Sequence, residues 1–254
     1  MLFGVLFSLS VRRAVAFRAD LFFELVVTVV GAGASVAALL VVYTRADTLG
    51  GWGPGEAIAL LGTFQVVSGL RSTFVEPNLQ FFGEQVKSGK LDAILLQPAP
   101  SMLLASLGSC APAALIQVGL GVGIAVTGAR EAALVITAGG VAAWVVVVVA
   151  AAVSMWATRV LIASVVFWAF GLSLDVLYDA VWQFGRYPVQ VYRSGLQVVF
   201  TYVVPVGLIA TAPVQALTGQ TLVVPTAIVV AGGTSLAATL VWRSGLRRYT
   251  SATS

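Results

Sequence analysis

Residues 81–101, FFGEQVKSGKLDAILLQPAPS, are the one long polar insertion in a chain whose remaining sequence is as apolar as a lipid-embedded protein. The first part of this stretch predicts a short amphipathic helix, because apolar and polar side chains recur at helical spacing. The apolar side of the helix consists of Phe81, Phe82 and Val86. Its polar side carries Glu84, Gln85 and Lys87. The rest of the chain is expected to hold this insertion at a membrane face.

The second part of the insertion is expected to leave the helix and lead into another hydrophobic segment. Gly89 breaks the helical pattern, and a short apolar run follows at residues 91–96. Pro98 and Pro100 disfavour helix directly before the next hydrophobic segment. The insertion, residues 81–100, is therefore predicted as a loop between two membrane spans.

The glycines and the lysine of this loop superficially suggest a phosphate-binding loop. A P-loop has four residues between its glycines and a Ser or Thr after its lysine. Here residues 84–88 separate Gly83 from Gly89, and Leu91 follows Lys90. We therefore predict no nucleotide site in this chain. An ordinary solvated loop stays open as an alternative interpretation.

The composition excludes a water-soluble domain. Hydrophobic residues make up 59% and charged residues 9% of the 254 residues, and the mean hydropathy is +0.99. These values are typical of polytopic membrane proteins. A chain of this length supplies about six spans of roughly 20 residues each with their connections.

Charge and cysteine content exclude further classes of site. The net charge of +4 does not indicate nucleic-acid binding, because the basic residues are dispersed at the ends of hydrophobic segments. The single cysteine, Cys110, excludes an intrachain disulfide. The chain has no histidine, so we predict no His or Cys metal site and no cofactor bound by this chain.

We predict an all-α polytopic membrane protein with six transmembrane helices in one domain, residues 1–254. An interfacial helix at residues 1–19 precedes the first span. The spans are predicted at about residues 21–44, 56–79, 102–127, 132–156, 160–178 and 222–242. Residues 128–131 are expected to form a short turn, and Arg159 is expected to lie at a membrane face.

Positively charged residues decide the expected orientation, because Lys and Arg are enriched in cytoplasmic loops. With the amino terminus inside, six spans place nine Lys and Arg on the inner face and four on the outer face. The inner set is Arg12, Arg13, Arg18, Lys87, Lys90, Arg159, Arg243, Arg247 and Arg248. The outer set is Arg45, Arg130, Arg186 and Arg193.

The region 181–220 is harder to assign, because it mixes apolar residues with charges and prolines. Its apolar core, residues 196–212, is barely long enough to cross, and a crossing there would place Arg243, Arg247 and Arg248 outside. We therefore predict that residues 181–220 dip into the membrane from outside and return as a helical hairpin.

Three pieces of the sequence, in this order, resemble one known family. The loop contributes an acidic residue, a glycine, a Leu-Asp pair, a leucine pair and a proline, at Glu84, Gly89, Leu91, Asp92, Leu95 and Pro98. The outer region contributes Arg186, Tyr187, Pro188, Tyr192, Pro205 and Pro213. The carboxyl-terminal piece is LRRYTSA, residues 246–252. Together these pieces resemble the membrane subunits of type-2 ABC exporters, in particular the bacterial branch with six spans.

The resemblance implies a permease in the bacterial cytoplasmic membrane, with both termini in the cytoplasm. Such a permease pairs with a second permease, identical or homologous, and docks two separate ATPase subunits that bind ATP and Mg. The loop would then contain the coupling helix that sits in a groove of the ATPase. The residues implied in coupling are Phe81, Phe82, Glu84, Val86, Lys87, Gly89, Leu91 and Asp92. Among these, the apolar side chains would fill the groove and the charged ones would fix the register at its rim.

Three charges near predicted span ends are further candidates. Arg71 is either a residue of the translocation pathway or a snorkelling or paired side chain near the inner interface. Asp175 and Asp179 are either a cation-binding pair or interfacial residues that meet Arg186 or Arg193. The sequence alone leaves both choices open.

The sequence therefore predicts ATP-driven export of a hydrophobic or amphiphilic compound, such as a drug, an antibiotic or a lipid-like molecule. An ion-coupled secondary transporter is one alternative, but it would need acidic residues deep in the bundle. A membrane-embedded enzyme is another, but it would need a clustered nucleophile and base.

Overall fold

The computed structural model describes residues 18–169, 172, 174–220 and 222–249. Within these ranges the protein is almost entirely helical and contains no strand, which confirms the predicted all-α class. The interfacial helix predicted for residues 1–19 lies outside the described residues, apart from its last two positions. Those two positions begin the first helix of the bundle.

The described part of the chain contains twelve α-helices, joined by shorter helical turns. The first six are α1 (Arg18–Tyr43), α2 (Pro54–Leu70), α3 (Glu76–Leu79), α4 (Phe82–Lys87), α5 (Lys90–Leu95) and α6 (Ser101–Leu107). The others are α7 (Leu115–Glu131), α8 (Ala138–Ser164), α9 (Asp175–Trp182), α10 (Ser194–Val198), α11 (Thr211–Leu217) and α12 (Val223–Leu246). A π-helical turn, Arg71–Val75, continues α2 into α3.

Five helical stretches of the described chain are long and apolar enough to cross a membrane. They are Leu21–Tyr43, Pro54–Lys87, Pro112–Glu131, Ala138–Phe167 and Val223–Leu246. A bent pair, Ser194–Tyr202 and Val206–Leu217, would be a sixth span if it were counted as one. The chain is therefore a polytopic membrane protein, as predicted.

The fourth and fifth predicted spans are wrong in their bounds. The region predicted as two spans, 132–156 and 160–178, contains one continuous helix, α8, because nothing in the sequence around Arg159 interrupts it. Arg159 does not end a helix: its side chain is only 1% exposed, and its charge is balanced by neighbouring carboxylates. The predicted turn at 128–131 is also wrong, since α7 continues to Glu131.

The predicted third span, 102–127, is broken between α6 and α7. Pro77 has no amide proton, so the carbonyl of Thr73 lacks its usual helical donor. The amide of Ala111, in the break, donates to that carbonyl at 2.8 Å instead. The side chain of Asn78 completes the contact, because its oxygen accepts from the amide and the hydroxyl of Ser109 and its NH₂ group donates to the carbonyl of Ser109.

Glycines hold α2 and α7 against each other in antiparallel contact. A Cβ atom at Gly62 would stand 2.2 Å from the backbone nitrogen of Ala125, and one at Gly128 would stand 2.2 Å from that of Ala59. Close backbone approach through small residues is a common way to pack helices in lipid. Of three glycines at alternate positions of α7, Gly121 is in close contact, whereas open space surrounds Gly119 and Gly123.

The segment from α9 to residue 191 runs along the whole of α2 in the opposite direction. It therefore returns the chain from the loop end of the bundle, where α3 and α4 lie, to the far end, where α2 begins. The contacts that show this direction join Asp179 to Arg71, Trp182 to Ser68, Gly185 to Phe64 and Gln190 to Gly50.

This path shifts the predicted outer hairpin towards the carboxyl terminus. Residues 181–191, including Arg186, Tyr187 and Pro188, belong to the crossing that runs beside α2. The bent pair, with a 74° angle between its arms, follows at residues 194–217 and contains Pro205 and Pro213. The chain thus still crosses between α8 and α12, but through α9 and the short helical turns after it.

Candidate functional site

The loop of residues 81–100 folds back onto its own bundle through three buried apolar side chains. Phe82, Val86 and Leu91 are almost fully buried. The ring of Phe82 lies 5.4 Å from Trp242 of α12 and 6.0 Å, edge to face, from Phe167 at the end of α8. The prediction that Phe82 and Val86 are free to fill a groove of a partner is therefore wrong. The apolar side of α4 instead anchors the loop to α12 and to the helical turn that follows α8.

A glycine turn joins the two short helices of the loop. Gly89 has a φ of +72°, a left-handed conformation that side chains with a Cβ adopt only with strain. The amide of Gly89 donates to Val86 at 3.2 Å, and its carbonyl accepts from the amide of Asp92 at 3.1 Å. Asp92 lies in the first turn of α5, where a carboxylate interacts favourably with the helix dipole.

Other side chains of the loop are exposed. Phe81 is 59% exposed and Leu96 is 87% exposed, although both are large and apolar. Glu84 and Lys87 lie on the same exposed side of α4. We call this set, Phe81, Glu84, Lys87 and Leu96, the loop surface. It combines apolar side chains with one charge of each sign, on a loop whose buried side chains fix it to the bundle.

Two arginines and three carboxylates form an ion network next to the start of the loop. Arg159 Nη1 lies 2.7 Å from Asp175 Oδ1, and its Nε lies 3.3 Å from Glu76 Oε1. Arg159 Nη2 also donates to the carbonyl of Leu79 at 3.1 Å. The network therefore joins α8, α9 and the last turn before the loop. Glu76, Arg159 and Asp175 are far apart in the sequence, so only the folded chain brings them together.

Arg71 is the second arginine of this network. Its Nε donates to Glu76 Oε1 at 2.6 Å, and its Nη2 donates to Asp179. The guanidinium group also lies 4.9 Å from the ring centres of Tyr178 and Trp182. Of the two interpretations of Arg71, the paired side chain matches these contacts. Asp175 and Asp179 meet Arg159 and Arg71, and not the expected Arg186 or Arg193.

A polar cavity of about 380 Å³ adjoins the exposed edge of Arg71. Its lining comprises Arg71, Ser72, Glu76, Pro77, Gln80, Ala111 and Asp179. Arg71 is thus both a paired residue and part of a cavity wall.

Sequence reasoning missed the roles of Glu76 and Arg159. A signal for these roles was present in the sequence. Arg71 and Arg159 lie in otherwise apolar segments, and buried charges are usually paired, so each arginine required a nearby carboxylate.

The comparison with protein families decides the class. A family model described as ABC-2 family transporter protein matches residues 29–253. The chain belongs to this family. The match covers the loop, the ion network and every long helix except the start of α1, so the resemblance seen in the sequence is confirmed. Neither a search of the curated proteins nor a search of the solved structures gave a match.

Membership of the ABC-2 transporter family gives the chain its general role. It is a permease of an ABC transporter, a multi-pass membrane protein that works with an ATPase partner. It is accordingly a transport subunit rather than an enzyme itself. Within the described residues, no group of three or more Cys, Asp and Glu side chains is arranged to hold a metal ion.

Proposed function

We propose that this ABC-2 permease exports a hydrophobic or amphiphilic compound, and that an ATPase subunit drives it by pressing on the loop surface. The single observation that carries this proposal is the two-sided structure of the loop. One side is locked into the bundle through Phe82, Val86 and Leu91, while the other presents Phe81 and Leu96 to the outside. Because its inner side is fixed to the bundle, the loop would pass a displacement caused by the ATPase on to the bundle instead of deforming by itself.

The transmission path starts where the loop joins α3. Motion of the loop would be passed to Leu79 and Glu76, which are tied to Arg159 of α8. Arg159 in turn holds Asp175 at the start of α9. Through these contacts a displacement at the loop reaches α8 and the crossing that follows α9. Ion pairs inside a low-dielectric bundle are strong and directional enough for this task.

The second permease, identical or homologous, is proposed to pack against the crossing that begins with α9. Large apolar side chains of that segment remain uncovered, and Val176 is 81% exposed. Others in the same segment are Leu177, Phe184 and Tyr187. Exposed apolar surface of this kind marks an interface or a lipid contact. With two permeases facing each other here, the 380 Å³ cavity beside Arg71 would open onto the space between them.

The proposed complex has two permeases and two ATPase subunits in the bacterial cytoplasmic membrane. ATP and Mg would bind to the ATPase subunits alone. The loop and both termini would face the cytoplasm, consistent with Lys87, Lys90, Arg243, Arg247 and Arg248 at the loop end of the bundle. The substrate would pass the cavity beside Arg71, where the ion network supplies polar contacts and the surrounding helices supply apolar ones.

The test is recovery of the ATPase with the tagged permease from the membranes of its native host. The double substitution Phe81→Ala and Leu96→Ala removes the apolar part of the loop surface without touching a buried residue. We expect an ABC ATPase to copurify with the unchanged chain and to be lost from this variant, because loss of an aromatic interface anchor commonly costs about 2 kcal/mol or more.

The control is Val135→Ala, which removes an apolar side chain that is 84% exposed, close to the value for Leu96, at the far end of the bundle. It should leave copurification and export unchanged. Equal recovery of the ATPase with the double variant and the control would contradict the proposed role of the loop surface.

A further inference from the structure

A second cavity, of about 520 Å³, lies on the flank of the bundle between α2, α6 and α8. Its wall is almost wholly apolar and includes Leu70, Phe74, Leu107, Cys110, Ala152 and Trp156. None of the charged residues of the ion network reaches it. The cavity is therefore separate from the polar cavity beside Arg71, which lies on the other side of the π-helical turn.

The break between α6 and α7 forms part of this cavity's wall, since Gly108, Ser109 and Cys110 line it. The break is held in place by Asn78, which bonds to Ser109, and by the bond from the amide of Ala111 to Thr73. Irregular backbone at membrane depth is tolerated where it lines a cavity or is covered by protein. These bonds therefore hold the break between α6 and α7 in one conformation.

The polar side chains of the wall have partners within the protein: the hydroxyl of Ser109 donates to Asn78. Trp156 has one polar group, and its ring N–H donates to the hydroxyl of Ser106 at 2.9 Å. That hydroxyl donates to the carbonyl of Met102 at 2.6 Å, so both groups are satisfied without a guest molecule. Apolar cavities of this kind do not take up water. A cavity of several hundred Å³ is also within the range of those that bind small molecules.

We propose that this cavity binds one acyl chain of a membrane phospholipid as a structural ligand. The cavity opens on the bundle's flank beside Val149 and Val153, two exposed residues of a membrane-spanning helix. At that position the surrounding solvent is lipid hydrocarbon, the one apolar ligand always present at high concentration. An acyl chain gains contacts with α2, α6 and α8 at once, so it braces the break that connects the loop to α7.

This inference depends on the membrane fold and not on the proposed export, so the two can fail separately. The experiment uses the purified full-length chain in detergent, washed until loosely held lipid has exchanged. We expect phospholipid to remain bound, as identified by mass spectrometry. Ala152→Phe fills the cavity and should abolish the retained phospholipid. Val145→Phe adds the same ring about two turns towards the amino end of α8, outside the cavity wall, and should not.

Cys110 gives a second readout that needs no cavity-filling variant. It is the only cysteine of the chain and it lines the cavity. Its alkylation by an uncharged maleimide should slow when synthetic phosphatidylglycerol is added to the delipidated protein. Retention of phospholipid by Ala152→Phe equal to that of Val145→Phe would overturn the proposal. So would an alkylation rate of Cys110 that does not respond to phosphatidylglycerol.

Discussion

Arg159 Nη2 donates a hydrogen bond of 3.1 Å to the carbonyl of Leu79, eighty positions earlier in the chain. This bond joins the carboxyl-terminal part of the long helix α8 to the last turn before the loop of residues 81–100. The same guanidinium group meets Glu76 and Asp175, so one side chain connects three parts of the bundle. Its removal should therefore affect folding and not only transport.

We predict that Arg159→Gln destabilises the permease strongly. The substitution leaves the carboxylates of Glu76 and Asp175 without one of their cations, and breaking a buried pair in this way costs about 3–5 kcal/mol. The melting temperature in detergent should fall accordingly. Arg130→Gln, at the exposed carboxyl end of α7, is the control and should change it little. Equal melting temperatures for the two variants would show that the network has no structural role.

Phe81 and Phe82 should separate partner binding from stability, although they are adjacent. Phe82→Ala removes a ring packed against Phe167 and Trp242, and the loss of such a buried ring costs about 3–5 kcal/mol. Phe81→Ala removes a ring that is 59% exposed, so stability should stay near that of the unchanged chain. The measurement is thermal unfolding alongside ATPase copurification. If Phe81→Ala lowered stability as much as Phe82→Ala, the description of the loop surface would be wrong.

Gly62 should tolerate no side chain, because α2 and α7 touch through their backbones at this point. A Cβ atom there would stand 2.2 Å from the nitrogen of Ala125 and 2.7 Å from the oxygen of Gly121. We expect Gly62→Ala to reduce the yield of folded protein in the membrane. Gly119→Ala is the matched control on α7, where space is open, and it should be neutral or slightly stabilising because Ala favours helix.

The path of the chain between α8 and α12 can be tested with single cysteines. Cys110→Ser removes the only thiol, after which cysteines can replace Trp168, Arg193, Gly219 and Arg247 one at a time. An impermeant maleimide added from outside should label positions 193 and 219, which lie beyond the crossing that starts at α9. Positions 168 and 247 should react only after the membrane is opened. External labelling at position 168 would contradict this crossing.

Local properties of the sequence were sufficient for the fold class and for the position of the loop. Long uninterrupted apolar stretches predict spanning helices wherever they occur, since the backbone must satisfy its own hydrogen bonds in lipid. Long apolar helices accordingly lie in the regions predicted for the first, second and last spans, although the second helical stretch continues to Lys87 and not to residue 79. Gly89 and the two prolines likewise located the loop, because their effect depends only on their own backbone angles.

Interactions between distant residues decided the rest. Arg159 looked like a membrane boundary because a lone charge is costly in lipid, and only folding brings Glu76 and Asp175 to it and allows α8 to continue. The amphipathic pattern of α4 showed that Phe82 would be buried but could not show whether the bundle or a partner buries it. The break at residues 108–111 depends on Asn78 and Thr73, more than thirty positions earlier. Sequence periodicity reports the neighbours along a helix, whereas ion pairing and packing depend on which helices the tertiary structure places side by side.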